Sequence, residues 1–528
     1  MKTVFFMLLC NVAGVSQVMA SVLEAVFCND NCDVMNGGLA LHHGGTYMNI
    51  WIKLGMNLND GQAHKLVHGY KGDSGCRFCS LCLNAWSSVS PVLDDDGNPL
   101  MVCTMLKCSD SKPASDQDIL GAVDRLTARR ETETKGDFDI WEKAAGLVHQ
   151  PHGLLQNMNL RRKGVMQPAS QYVHDPMHCL VANGVMNVVL WLLLSSLQPA
   201  MAIYERLHEY VALWVHPKAF KMDDVCEAFN AARKRSNLNA KKFKAIASEL
   251  LGLYPILAYF FQSILLRGDT EFNAKILAFL ALCDVMDMVQ AITFGIIQPE
   301  HLEKAINKFL ALCVEAGWQD YFIKKFHWLL HLPSHLSRFG FIPWCFTLER
   351  KHRLVKRFAS AQRKTMTMAK STYRDVINHE LAQLRNSDVF KTGYFLVEKT
   401  KPSKDMMKYF LENFSNGQPL PDIYVSRIAR IEPSGYVTAG DIVLVKSDTS
   451  TKKWDAGELW TNVEFDGDNF SIVTMYSMRE YNSQLCAATW DVRSVPVFIR
   501  TSDILCSVMY KKAVDGSQVV TLIPLRLR

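Results

Sequence analysis

The stretch NLNDGQAHKLVHGYKGDSGCRFCSLC, Asn57 to Cys82, decides how the first part of the chain is read. A strand-like apolar run, MNIWIKLGMNL, leads to Asp60, and a helical pattern, DGQAHKLVHGY, follows. Cys76, Cys79 and Cys82 then make two successive CxxC steps. Two thiols at that spacing close on one metal ion but supply only half of a tetrahedral site. The complementary half lies in KKFHWLLHLPSHLSRFG, Lys324 to Gly340. His327 and His331 are four apart on a helical pattern, so both imidazoles fall on one face, and His335 continues the stripe. Joining the halves closes a loop of roughly 250 residues, which is tolerable because closure entropy grows only logarithmically with length.

Composition bounds the rest. The chain has 528 residues, too many for one ordinary core, with 49% hydrophobic and 21% charged residues, as folded chains have. Fifteen cysteines are scattered along the whole length, unlike the dense pairs of a secreted disulfide scaffold, and read as reduced thiols, some of them metal-bound. A net charge of +6 is mild, but its distribution is uneven. Arg350, Lys351, Arg353, Lys356, Arg357, Arg363, Lys364, Lys370 and Arg374 form a local basic stripe directly after Glu349. Such a stripe suits a phosphate backbone, and equally a solvated helix face.

Four textures divide the chain. Residues 1–86 read as helix, Gly-rich turns, strand and cysteine cluster, and 87–165 as a polar, irregular excursion with one helix from Asp116 to Arg130. Residues 166–320 read as a helical insertion, and 321–385 as helices returning to the first part. A linker at 386–424 then leads to β-rich runs over 425–528, read as a small β-barrel. Residues 1–20 have the Lys, apolar run and small-residue spacing of a secretory signal, although an internal amphipathic helix reads the same way. The uncharged run from Cys179 to Tyr204 is long enough for a bilayer, but Asn183, Asn187, Gln198 and Pro199 interrupt it, which favours a buried helix and no membrane.

The order Asp60, CxxC, long helical insertion, HxxxH, Glu349 resembles the CACTA (En/Spm-like) group of DDE DNA transposases, and more distantly the catalytic subunit of the antigen-receptor recombinase. The resemblance rests on NLNDGQAHKLVHGYKGDSGCRFCSLC, YVHDPMHCLVANGV and KKFHWLLHLPSHLSRFGFIPWCFTLERKHRLVKR, and covers about residues 20–375. It implies an incomplete RNase H-like (integrase-type) α/β core with a large all-α insertion. It implies Asp60 and Glu349 as catalytic ligands of Mg²⁺, and Cys76, Cys79, His327 and His331 as a structural zinc site, with Cys82 packing nearby. His174, Asp175 and His178 match the family's D-x-M-H stretch, with Asp175 near the active site and the two histidines on its rim. In the family, two Mg²⁺ ions about 4 Å apart cleave and transfer strands at transposon ends of double-stranded DNA. A nuclear location and pairing of two copies would follow.

The family's first catalytic Asp lies on an opening strand, upstream of the helix read at residues 1–30. The resemblance therefore implies an N-terminally truncated copy with impaired cleavage. A non-catalytic DNA- or chromatin-binding protein is the alternative, using the basic stripe and the C-terminal β-module, where AGDIVLVKSD resembles bromo-adjacent barrels. A secreted protein is a third, if residues 1–20 act as a signal.

Overall fold

A computed structural model of the chain describes residues 14–28, 33–94, 96–222, 224–266, 268, 271–361, 367–385, 391–414, 422–447 and 453–528. Most of the signal-like stretch therefore lies outside the described residues. The fold is mixed α/β and divides into two compact units, each built from two separate stretches of chain. The first comprises Met1–Val189 and Gln298–Arg385, the second Leu190–Ile297 and Asn386–Arg528.

In the first unit the strand Asn57–Asn59 lies parallel to the strand Tyr172–His174, with Asn59 opposite His174. Each strand runs straight into a helix capped by an aspartate. Asp60 caps Gly61–His68, its Oδ1 accepting from the Ala63 N–H at 2.6 Å, and Asp175 caps Pro176–Leu180. An aspartate side chain accepts amide protons that a helix start leaves unpaired, so a short strand hands over to a helix at a fixed residue. Two antiparallel hairpins accompany this pair, Leu39–His43 with Thr46–Ile50 and Ser88–Leu93 with Pro99–Val102.

The polar stretch 87–165 is no excursion. Its helix Asp116–Thr132 starts on a capping box between Ser115 and Asp118 and buries Ile119, Ala122, Val123 and Leu126, the i, i+3, i+4, i+7 face of an otherwise charged segment. With Phe138, Leu147, Leu154 and Leu160 these side chains join Phe78, Cys79 and Cys82 in one core. Four apolar residues on one face suffice to anchor a helix, and the average polarity of the window concealed them.

The second unit corrects two expected boundaries. Its sheet has eight antiparallel strands. The main path runs from Ile504–Ser507 through Ile442–Lys446, Trp454–Phe465, Asp468–Asn482, Ala487–Arg500 and Gln518–Leu522 to Tyr510–Lys512, a half-barrel with two ends rather than a small closed barrel. The helices of Leu190–Ile297 belong with this sheet. Val215 and Tyr510 exchange backbone hydrogen bonds, Asp441 accepts from the Lys218 N–H at 3.0 Å, and Arg528 pairs with Asp287 at 2.8 Å. Likewise 386–424 is not merely a linker, because Phe395–Val397 pairs with Ile428–Ile431 and Phe410 is buried against Ile423. Helical periodicity shows which face of a helix is buried but not which sheet covers it. Among the described residues three helices, Pro176–Met201, Ala247–Leu265 and Asn273–Phe294, are long and apolar enough to cross a membrane by length and composition; in the first, 67% of the most apolar window is buried inside the protein.

If 87–165 is part of the core, Ile119→Ala should cost about 2–5 kcal/mol, the range for emptying a fully buried aliphatic site. Chemical denaturation checks this. An unchanged midpoint would mean that the segment is only appended to the unit.

Candidate functional site

Two constellations occupy the first unit. The deeper one joins Cys79, Cys82, His327 and His331, all buried, with ligand atoms within 4.8 Å of one another. The His331 Nε2 stands 3.3 Å from Cys79 Sγ, 3.4 Å from Cys82 Sγ and 3.2 Å from His327 Nε2, and His327 Nε2 stands 3.4 Å from Cys82 Sγ. Tetrahedral zinc, with Zn–S about 2.3 Å and Zn–N about 2.1 Å, requires N–N and N–S edges of about 3.4–3.6 Å. The donor set and its spacing therefore fit a metal ion such as zinc. Burial pushes the His327 pKa down, keeping its imidazole neutral as a ligand must be. The Cys82 thiol is shifted down, first by its hydrogen bond with Cys79 and then by those with His327 and His331, whereas burial shifts Cys79 up.

Cys76 does not belong to this cluster. It is exposed, and its backbone is committed elsewhere: its N–H donates to Lys143 O, and its carbonyl accepts from the Ser87 N–H. The adjoining Arg77 carbonyl lies so close to Gly146 that a Cβ there would stand 2.2 Å from it. The loop is thus pressed onto the end of the helix Lys135–Ala145, which turns the second CxxC step inward and the first outward. Cys82, expected only to pack nearby, takes the place assigned to Cys76. All described cysteines are free thiols.

His335 connects this cluster to the second constellation. Its Nε2 accepts the backbone N–H of His174 at 3.2 Å, tying the metal-site helices to the strand that ends at Asp175. His174 is itself buried, stacked on Trp328 and beside His331, so it lies in the core rather than on a rim.

Asp175 is fully buried and saturated. Its Oδ1 accepts from the N–H groups of Met177 at 3.1 Å and Cys345 at 3.0 Å. Its Oδ2 accepts from the His178 N–H at 3.1 Å and from His178 Nδ1 at 2.5 Å. An ionised carboxylate offers about four acceptor sites, and here all four are in use. The far side of the His178 ring looks toward Glu349, with Nε2 3.7 Å from Oε1. Glu349 stands in the first turn of Phe346–Ala361 with its side chain 53% exposed, open to a ligand from solvent. Asp60 occupies the strand end beside Asp175. The Cys345 thiol is pushed up by burial and then by Asp175, with Asp60 and Glu349 adding smaller effects. Asp60 and Glu349 are 289 residues apart in the chain, and of the two Glu349 is the one with a contact to the Asp175–His178 pair.

On the helix that carries Glu349, Arg353, Lys356 and Arg357 follow at i+4, i+7 and i+8 on the same side, and they and Arg350 are exposed. Lys351 is instead paired with Glu380. Arg363 and Lys364 lie outside the described residues. Neither a protein-family model nor a curated protein matches the chain.

Metal analysis of the purified chain should find about one transition-metal ion at this cluster. Cys82→Ala should lose it and Cys76→Ala should keep it; the reverse would restore the first CxxC step as the ligand pair.

Acid should loosen this unit. Burial holds His68 at about 4 and His335 at about 3, below the ordinary 6.5, so unfolding takes up protons between those values and 6.5. Stability should therefore be full above about pH 6.5 and decline as the pH falls toward 4. Denaturation midpoints across that range test it, and His68→Leu should flatten the profile.

Proposed function

We propose that this chain is a transposase-derived, nuclear DNA-binding protein of the DDE type, similar to the CACTA group, with an RNase H-like arrangement of its catalytic end. The observation that carries the reading is the pair of adjacent parallel strand ends leading into Asp60 and Asp175, with His178 joining Asp175 at 2.5 Å to Glu349 of the basic helix at 3.7 Å. The carboxyl ends of parallel strands are where open α/β sheets bind ligands. Exposed Arg353, Lys356 and Arg357 beside Glu349 give a phosphodiester backbone its counter-charges. In this reading zinc fills the Cys79–Cys82–His327–His331 cluster, and double-stranded transposon ends are the partner, held by paired copies of the chain.

Two-metal strand cleavage uses carboxylates to hold two Mg²⁺ ions, one activating the attacking oxygen and one stabilising the leaving oxygen. With every acceptor site of Asp175 occupied by the protein, Asp60 and Glu349 remain as the carboxylates for that task. A divalent ion there would polarise a phosphate, and the basic helix would hold the strand across it. The expected activity is firm, salt-dependent duplex binding with weak Mg²⁺-dependent nicking. That same saturation of Asp175 favours the second reading, a DNA- or chromatin-binding protein without catalysis.

Fluorescence anisotropy on duplex DNA, with plasmid nicking run beside it, tests both readings. Replacing Arg353, Lys356 and Arg357 by Glu should weaken binding at least tenfold at low salt and flatten its salt dependence. Glu349→Gln should abolish any nicking while leaving binding intact. Unchanged DNA affinity in the charge-reversed variant would remove the nucleic-acid reading altogether.

A further inference from the structure

The Asp175–His178 pair has a feature that strand cleavage by carboxylates alone does not use. Asp175 is an acceptor only, so the hydrogen bond between its Oδ2 and His178 Nδ1 requires the proton on Nδ1. The lone pair of the neutral ring then sits on Nε2. Because both Asp175 oxygens are also fixed by three backbone N–H groups, the ring is held in one orientation as well as one tautomer. This is the carboxylate–histidine arrangement that prepares an imidazole to bind a metal.

What Nε2 faces is Glu349 Oε1 at 3.7 Å. That gap is too long for a hydrogen bond, yet an ion about 2.1 Å from each atom fits between them. It is only slightly longer than the edges of 3.2–3.4 Å in the buried Cys/His cluster. His178 is about one-fifth exposed and Glu349 about half, so an ion can enter from solvent.

We propose that His178 Nε2 and Glu349 together bind a divalent first-row metal ion, with Asp175 as the positioning residue that fixes the imidazole, and that this site prefers Mn²⁺ to Mg²⁺. The inference rests on the cleft reading given above and deepens it by assigning a nitrogen ligand to its metal. Mg²⁺ keeps to oxygen ligands and sheds water reluctantly, whereas a mixed imidazole–carboxylate pair suits a later, softer ion. Water or a phosphate oxygen completes the coordination.

The test is Mn²⁺ binding to the full chain whose Cys/His cluster is already filled with zinc, followed by electron paramagnetic resonance, with Mg²⁺ as competitor. Bound Mn²⁺ should show electron spin-echo modulation from a coordinated ¹⁴N, altered by ¹⁵N-histidine labelling. His178→Ala should erase the modulation and weaken Mn²⁺ at least tenfold while changing Mg²⁺ affinity less than twofold. Asp175→Asn should weaken Mn²⁺ about 10–100-fold, as loss of an orienting partner does; because it also removes a helix cap, the labelling result on the unaltered chain decides if that variant fails to fold. Mn²⁺ bound through Glu349 with no nitrogen modulation would overturn the His178 assignment and leave the DNA-cleft reading standing. No divalent binding lost on Glu349→Gln, with DNA binding intact, would overturn both the metal site and the cleavage half of that reading. Loss of DNA binding in the charge-reversed helix remains the separate test of the cleft itself.

Discussion

The first unit depends on one closure, the meeting of Cys79 and Cys82 with His327 and His331 across about 250 residues of chain. Two thiols and two imidazoles without a cation would make a poor core, because burial opposes thiolate charge and leaves polar atoms short of partners. A metal ion held there would turn the same four groups into a strong tie. The closure then extends beyond its ligands. The His331–His335 segment carries the Nε2 that holds the His174 backbone, and His174 precedes the aspartate on which the Glu349 segment hangs through the Cys345 N–H. The buried cluster and the Asp175–His178–Glu349 group are thus two ends of one chain of contacts.

Along that chain the two aspartates at adjacent strand ends divide their work. Asp60 uses Oδ1 to cap its helix, whereas Asp175 commits both oxygens to the protein. The difference is one of environment rather than residue type. Asp175 lies beneath the Cys345 loop and is sealed by it, so its role is to fix neighbours: the start of one helix, the approach of another and the ring of His178. Cys345, whose N–H donates to Asp175, stays a neutral thiol, since burial first and then the Asp175 charge disfavour its ionised form.

Much of this was legible in the sequence, and the failures have identifiable causes. The CxxC and HxxxH half-sites, and the change from strand to helix at Asp60, follow from the sequence pattern, and the structure brings the two half-sites together. Which CxxC step faces inward does not follow, because it is decided by the pressing of Arg77 against Gly146, a contact between segments about 70 residues apart. The strand Tyr172–His174 is only three residues long and fully buried, so it has no alternation to betray it, and its parallel partner lies more than 100 residues away. The helix in 87–165 was read from the sequence, but its place in the core was hidden by its charged outer faces. The helices of Leu190–Ile297 were read correctly as helices and assigned to the wrong neighbour, since periodicity carries no information about the surface that receives an apolar face.

The interleaving of the two units sets an order on their birth at the ribosome. The cysteines of the cluster emerge about 245 residues ahead of His327. At a synthesis rate of roughly 5–20 residues per second, those thiols spend about 10–50 s without their imidazoles. The helices of Leu190–Ile297 are made during that interval and must in turn wait for sheet strands that begin past residue 422. Neither unit can close before most of the chain exists. The nascent protein therefore carries two unfinished apolar surfaces and an exposed thiol pair at once, so its yield would depend on chaperone capacity and on the supply of whatever metal ion the cluster takes.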